Sequence, residues 1–205
     1  MKRPDYYDRF VSDTPEHVMT IALDQDLYRH LKFRAPNTGM YWFDVITWPG
    51  KLVVNGDMGT YTFSRLPDMF EFFGGRKPGY VNEGYWAEKL VAVDKQSPPR
   101  EFDEALFRQR VLEDFWQTRE DFDPSEARQI WQAIRDQIFD DYADRHDSRA
   151  CHELLNHFVS PVSGFGYSDS WDWGDFDGYG LHFVWNLHAI THAIRTYRAA
   201  KAVAA

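Results

Sequence analysis

The sequence predicts an α+β fold, with an N-terminal antiparallel β-meander packed with a mostly helical C-terminal half. Three observations predict it. Short segments of alternating or β-branched apolar residues, separated by turn residues, fill residues 17–65. Apolar residues recur at helical spacing over residues 66–158 and 181–202. Aromatic residues make up 17% of the 205 residues, which is enough for a sizeable core.

The first predicted element is a meander of four to five strands, at residues 17–24, 27–34, 41–48, 51–55 and 60–65. Gln25-Asp26 and Pro49-Gly50 lie between successive strands and are typical of short turns. Gly56 and Gly59 flank the last turn, where glycine supplies a backbone conformation with positive φ.

Helices are predicted for the rest of the chain, at residues 64–73, 85–94, 103–119, 124–145, 148–158 and 181–202. Asp103, Asp123 and Asp147 each precede a helical pattern and are predicted to cap it. Trp116 is predicted to face inward from the helix that begins after Asp103. Residues 160–180 are predicted to form an ordered loop rich in Gly, Ser, Asp and aromatics. We predict a single domain over residues 1–205.

Composition excludes several functional classes. The single cysteine, Cys151, excludes an intrachain disulfide framework and any zinc site that needs two cysteines of this chain. The net charge of −9 argues against general nucleic-acid binding, which relies on excess Lys and Arg. Residues 1–16 do not resemble a signal peptide, and no apolar run reaches the roughly 20 residues of a membrane span. A cytoplasmic location without membrane contact is therefore predicted.

The excess negative charge is concentrated in one segment. Residues 101–147 contain 14 acidic and 6 basic residues, and the remainder contains 18 acidic and 17 basic residues. Asp136, Asp140 and Asp144 are spaced to stack on one face of a helix, and Asp141 and Asp147 flank them. This pattern is typical of a solvated helix face. It also fits a surface that binds a basic partner protein.

Candidate catalytic residues are few. Asp57 lies in the tight turn Gly56-Asp57-Met58-Gly59, and Asp44 and His30 on neighbouring strands could approach it. The alternative is that Asp57 is an ordinary turn residue. No phosphate-cradling loop or nucleophile elbow occurs, and no cofactor is predicted.

A metal site would have to use histidines. His188 and His192 are spaced i, i+4 on the last predicted helix, so both side chains could face one ion. The sequence lacks the glutamate that follows the first histidine in a zincin motif. These histidines are therefore predicted to lie in the core or on the surface, with metal binding as the alternative.

Several motifs resemble a family of phage- and prophage-borne accessory proteins. They are Trp48-Pro49-Gly50, the stretch from Gly56 to Arg65 (GDMGTYTFSR), Asp68 to Phe73 (DMFEFF) and Gly84 to Leu90 (GYWAEKL). A matching tail includes Trp171-Asp172 and His182 to Trp185. The resemblance covers residues 17–95 and 165–200, and the acidic helices match least. It implies a small protein that modulates host machinery or blocks host defence, with no catalytic residues to carry over.

Three functions follow from these observations. The first is stoichiometric binding of a host protein through the acidic helices, most plausibly to inhibit a defence system such as CRISPR-Cas. The second is an enzyme acting on a nucleotide or nucleic acid. The third is a small-molecule or peptide binding module with an aromatic pocket, built from five tryptophans: Trp42, Trp48, Trp86, Trp171 and Trp173.

Overall fold

The computed structural model describes residues 6–140, 147–167 and 169–204. It confirms the α+β class, with a six-stranded antiparallel sheet in the first half and a largely helical second half. The chain divides into two compact units, each with a hydrophobic core of its own. We call residues 4–100 with 179–205 the sheet unit, and the described residues between 101 and 178 the helical unit. The single domain over residues 1–205 stays a prediction.

The sheet unit contains six strands that pair in chain order. They are β1 (Val18–Gln25), β2 (Tyr28–Arg34), β3 (Phe43–Trp48), β4 (Lys51–Gly56), β5 (Gly59–Phe63) and β6 (Leu90–Val93). Four helices accompany them, namely α1 (Tyr6–Asp13), α2 (Met69–Phe73), α3 (Glu83–Ala87) and α7 (Leu181–Ala204).

One face of the sheet is apolar because side chains alternate along each strand. Phe33 pairs with Phe43, and Val45 pairs with both Leu31 and Val54 across neighbouring strands. All five of these side chains are buried. The register therefore places an aromatic and aliphatic layer on this face of the sheet.

Helix α7 packs against this apolar face. The Trp185 ring lies fully buried, with its centroid 5.1 Å from that of Phe10 on α1 and 5.6 Å from that of Phe43. The side-chain amide of Asn186 donates to the carbonyl of Met58 at 2.7 Å. This bond satisfies a polar group that burial would otherwise penalise, and it fixes α7 to the turn between β4 and β5.

One prediction about the sheet unit was wrong, and one of its helices was missed. Residues 85–94 were predicted as one helix, but α3 ends at Ala87 and β6 follows. Leu90 pairs with Phe63 and Val93 with Tyr61, so this segment, which includes the β-branched Val91 and Val93, completes the sheet instead of continuing a helix. Helix α1 was not predicted, although its Phe10 is buried in the core.

The helical unit contains three α-helices, α4 (Glu104–Thr118), α5 (Pro124–Ile134) and α6 (Ser148–Asn156). Shorter helical segments are two 3-10 turns, Arg119–Asp121 and Ser170–Trp173, and a π-helical segment, Arg135–Phe139, that follows α5. Strands β7 (Arg100–Phe102) and β8 (Asp177–Tyr179) form a separate two-stranded sheet. This sheet was not predicted, because the Gly, Ser and Asp residues around β8 favour a loop over residues 160–180.

The three predicted helix caps are confirmed. Asp103 accepts from the backbone N–H groups of Ala105 and Leu106, and Asp147 accepts from that of Ala150. Asp123 forms a reciprocal capping box with Glu126, next to Pro124 at the first helical position. Local chemistry therefore sets where α4, α5 and α6 begin.

The core of the helical unit is mostly aromatic and aliphatic. Phe107 and Val111 of α4, Ile130 and Ile134 of α5, and Cys151 of α6 are all fully buried.

Among the described helices of both units, none combines the length and apolar character that spanning a bilayer requires.

Candidate functional site

An open apolar groove lies between α4 and α5 in the helical unit. Its volume is about 310 Å³. The residues that line it share large or apolar side chains, apart from two arginines: Leu112, Phe115, Trp116, Arg119, Ala127, Arg128 and Trp131. The capping box at Asp123 positions the first turn of α5, which carries Ala127 and Arg128 into the groove.

Trp116 is the most exposed aromatic of this groove. It is 54% exposed, which contradicts the prediction that it faces inward. The guanidinium carbon of Arg119 lies 3.6 Å from the centre of the Trp116 ring, so a cation–π contact holds the two side chains together. Its neighbour Phe115 is buried and lies 5.4 Å, between ring centroids, from Trp131. The groove thus has an aromatic floor and a preorganised Trp–Arg edge.

Exposed Trp and Arg side chains around a concave apolar surface are the composition of energetic hot spots in protein–protein interfaces. Arg128 lies at the other side of the groove, where its Nε donates to the carbonyl of Pro124 at 2.8 Å. The groove can therefore bury an apolar side chain of a partner while its two guanidinium groups pair with polar groups around it.

The segment that contains the groove carries the excess negative charge of the chain. Residues 101–178 contain 19 acidic and 7 basic residues, a net charge of −12, whereas the rest of the chain contains 13 acidic and 16 basic residues, a net charge of +3. The acidic character of the protein therefore belongs entirely to the segment that forms the helical unit. A surface of this sign attracts basic partners at long range.

The structure describes only some of the aspartates of the predicted acidic face. Asp136 lies in the π-helical segment, where it accepts from the side chain of Gln132 at 2.8 Å, and Asp140 is exposed at the end of that segment. Asp147 is the N-cap of α6. Asp141 and Asp144 lie outside the described residues. The stacking of Asp136, Asp140 and Asp144 on one helix face stays a prediction.

The structure brings His30 and Asp44 together on the sheet. His30 Nε2 donates to Asp44 Oδ2 at 2.6 Å, and Arg34 Nη2 lies 2.6 Å from Asp44 Oδ1. The guanidinium of Arg34 also stacks on the Trp42 ring, 4.3 Å from its centre. A histidine oriented by a carboxylate is a potential general base, but the other oxygen of Asp44 is paired with the guanidinium of Arg34. The arrangement also fits a structural ion-pair network.

Asp57 does not join this pair. It is exposed in the turn between β4 and β5, and its backbone N–H donates to the carbonyl of Trp42 at 3.1 Å. Within the described residues, no hydrogen bond or ion pair connects the Asp57 carboxylate to His30 or Asp44. The three candidate catalytic groups therefore form a pair and a separate turn residue.

His188 and His192 lie among aromatic rings. The His188 ring is 5.2 Å from that of Tyr7, and the His192 ring is 5.5 Å from those of Phe10 and Phe33. Burial, together with the nearby charge of Arg195, lowers the pKa of His192 to about 4. In the part of the chain that the structure describes, no three His, Cys, Asp or Glu side chains are grouped to hold a metal ion.

Of the five tryptophans proposed for an aromatic pocket, Trp42, Trp48 and Trp86 belong to the sheet unit, and Trp171 and Trp173 belong to the helical unit. Trp86 is 1% exposed in the core of the sheet unit, so it cannot line an open pocket. Trp48 is an exposed residue at the end of β3, and the Trp171 ring stacks on His152 at 4.5 Å. Within the described residues, the groove of Trp116 and Trp131 is an exposed concave tryptophan surface. The sequence feature that could have indicated this groove is the spacing of Trp116 and Arg119. Residues at i and i+3 are neighbours on a helix surface.

Comparisons of this chain with protein-family models, with curated proteins and with solved structures find no match. The resemblance to phage accessory proteins thus rests on the quoted sequence motifs alone.

Proposed function

We propose that the protein acts without catalysis, by stoichiometric binding of a host protein through its helical unit. The observation that carries this proposal is the Trp116–Trp131 groove, an open apolar surface with an arginine on either side, in a segment of net charge −12. An apolar centre within a charged surround is the usual anatomy of a protein interface. Because this segment is negatively charged, electrostatic complementarity favours a partner with a positively charged surface.

The proposed class of partner is a basic, nucleic-acid-binding effector of a defence system such as CRISPR-Cas, in the host cytoplasm. Such effectors need positively charged channels for nucleic acid, and an acidic protein can occupy such a channel in its place. The resemblance of the quoted motifs to those of phage-borne accessory proteins supports this class. In this proposal the groove supplies affinity, and the acidic residues, including Asp136 and Asp140, steer association.

The test is phage plating on bacteria that carry a CRISPR-Cas system directed against that phage. Cells that express the protein are expected to let the targeted phage form plaques, and the purified protein should form a 1:1 complex with the effector. Trp116→Ala should weaken this complex by about tenfold or more, as expected for a hot-spot tryptophan. Asp140→Lys should slow association, chiefly at low salt.

Two control variants distinguish an effect on the proposed binding surface from a general effect of changing the charge or truncating an exposed side chain. Glu16→Lys makes the same change in net charge as Asp140→Lys at an exposed position of the sheet unit, and it should leave the complex unchanged. Val203→Ala is the control for Trp116→Ala. It truncates an apolar side chain on α7 that is 90% exposed, and it should leave the complex unchanged. If Trp116→Ala and Asp140→Lys inhibit defence as well as the unaltered protein does, the helical unit is not the binding surface.

An enzymatic function is the second candidate, because His30 and Asp44 form a hydrogen-bonded pair. Its substrate would be a nucleotide or nucleic acid, held near Arg34 on the sheet. Asp44→Asn would then abolish turnover of a nucleotide panel without unfolding the protein. Plaque formation that survives Asp44→Asn but not Trp116→Ala would favour the binding function over this one.

A further inference from the structure

The sheet unit contains a second concave site, between the end of α2 and the middle of α7. Its volume is about 180 Å³. Four lining residues come from the end of α2 and the following loop, and four come from α7: Phe73, Gly74, Gly75, Arg76, Thr191, Ile194, Arg195 and Arg198. Three of these eight are arginines, and none is acidic.

Arg198 is held in place by the backbone of α2. Its Nη2 donates to the carbonyl of Phe70 at 3.3 Å and forms an ion pair with Glu71. The guanidinium lies directly against Gly74, where a Cβ would be 2.6 Å from Nη1 and 2.9 Å from the guanidinium carbon. A glycine at residue 74 is therefore required for Arg198 to border the site in this position.

The other two guanidinium groups have no acidic partner within the described residues. Arg76 is exposed and lies 5.6 Å from the centre of the Tyr80 ring. Arg195 is exposed, and its Nη2 donates to Nδ1 of His192 at 3.3 Å. Because Glu71 offsets only Arg198, two of the three positive charges at the site are not balanced.

We propose that this site binds the phosphoryl group of a small phosphate or phosphate monoester. Three guanidinium groups can donate several N–H bonds to one tetrahedral anion, in the geometry that makes arginine the preferred phosphate ligand. The volume is well below the roughly 300–1,000 Å³ of sites for drug-sized ligands, so it suits one phosphoryl group. Phe73 and Ile194 supply an apolar side for whatever carries it. The site uses no residue of the proposed protein-binding groove.

The experiment is a titration of the full chain with inorganic phosphate and, in parallel, with glycerol 3-phosphate and a nucleoside 5′-monophosphate. Binding is followed by calorimetry and by the NMR shifts of the backbone amides of Gly75 and Arg76, at constant ionic strength with chloride as the reference anion. Saturable binding with shifts confined to the site is expected. Tighter binding of one monoester would identify an organic phosphate as the natural ligand, and equal affinities would identify free phosphate.

The variants Arg76→Gln and Arg195→Gln should each weaken phosphate binding by about tenfold or more, since each removes a charge-assisted hydrogen bond. Both side chains are exposed, so the fold should persist, as thermal unfolding would verify. Arg65→Gln is the matched control, an exposed arginine of the same unit outside the site, and it should bind normally. Phosphate binding no different from that of chloride, or unaltered by both site variants, would overturn the proposal.

Discussion

Gly56 on β4 passes so close to the backbone of Trp42 that no side chain fits between them. A Cβ on Gly56 would overlap the Trp42 carbonyl oxygen and would lie 2.9 Å from the Cα of Phe43. The next residue, Asp57, donates its N–H to the same carbonyl at 3.1 Å. The beginning of β3 and the end of β4 are therefore joined at a point where backbone meets backbone.

Gly56→Ala should destabilise the protein strongly, by about 2–4 kcal/mol, because the added methyl group must displace β3. The measurement is urea denaturation followed by circular dichroism. Gly39→Ala is the matched control, since a Cβ there meets nothing within 4 Å, and it should change the free energy of unfolding by less than about 0.5 kcal/mol. Equal effects of the two substitutions would contradict this close approach.

Asp123→Ala should cost about 1 kcal/mol of stability, because it removes the acceptor of two backbone N–H groups at the start of α5. Asp121→Ala is its control, since it removes the same charge two residues earlier without removing a cap. Denaturant midpoints of the two variants give the comparison. A loss as large for Asp121→Ala would mean that charge, and not capping, determines the effect.

Asp44→Asn should destabilise the sheet unit by about 1–3 kcal/mol, because a nearly buried carboxylate loses its charge between His30 and Arg34. The corresponding substitution of an exposed ion pair is Glu88→Gln, beside Lys89, and it should cost less than about 1 kcal/mol. Thermal unfolding of both variants tests this difference. Similar losses would show that Asp44 contributes no more than a surface pair does.

The protein should lose stability as the pH falls from 6.5 to 4, owing to His192. Burial lowers the pKa of His192 to about 4 in the folded state, against 6.5 for an unperturbed histidine. Between these values the unfolded chain binds the proton and the folded chain does not, so acid favours unfolding. The full effect is on the order of 3 kcal/mol.

His192→Gln should make the free energy of unfolding less dependent on pH between 7 and 4.5, measured by denaturant titration at each pH. His157→Gln is the matched control, because it makes the same substitution at an exposed position. If His192→Gln retains the pH dependence of the unaltered protein, protonation of His192 is not its source.

The sequence was most informative where structure depends on neighbours along the chain. The caps at Asp103, Asp123 and Asp147 were predicted because capping needs only the next three residues. The first five strands were predicted from alternation and turns. Strand β6 was missed because its pairing with β5 depends on residues more than 25 positions away. Strand β7 was missed because its partner β8 begins only at Asp177, far along the chain.

The candidate site was predicted less well. Net charge located the helical unit, because charge can be counted without knowing the fold. Trp116 was predicted to face inward because it continues the apolar stripe of α4. The stripe does not show how α5 packs against α4, and it is this packing that leaves Trp116 exposed. His30 and Asp44 were identified, but their separation from Asp57 depends on which strand face each residue occupies.

The long segment between β6 and α7 determines the order in which parts of the sheet unit are synthesised and can fold. The backbone of Gly180, just before α7, donates to the carbonyl of Pro99, so the two ends of the 101–178 segment are tied together. A ribosome completes the sheet first and must then synthesise that whole segment before α7 emerges. During this interval Phe33, Phe43 and Val45 lack the helix that buries them, which makes the nascent chain a potential client of chaperones.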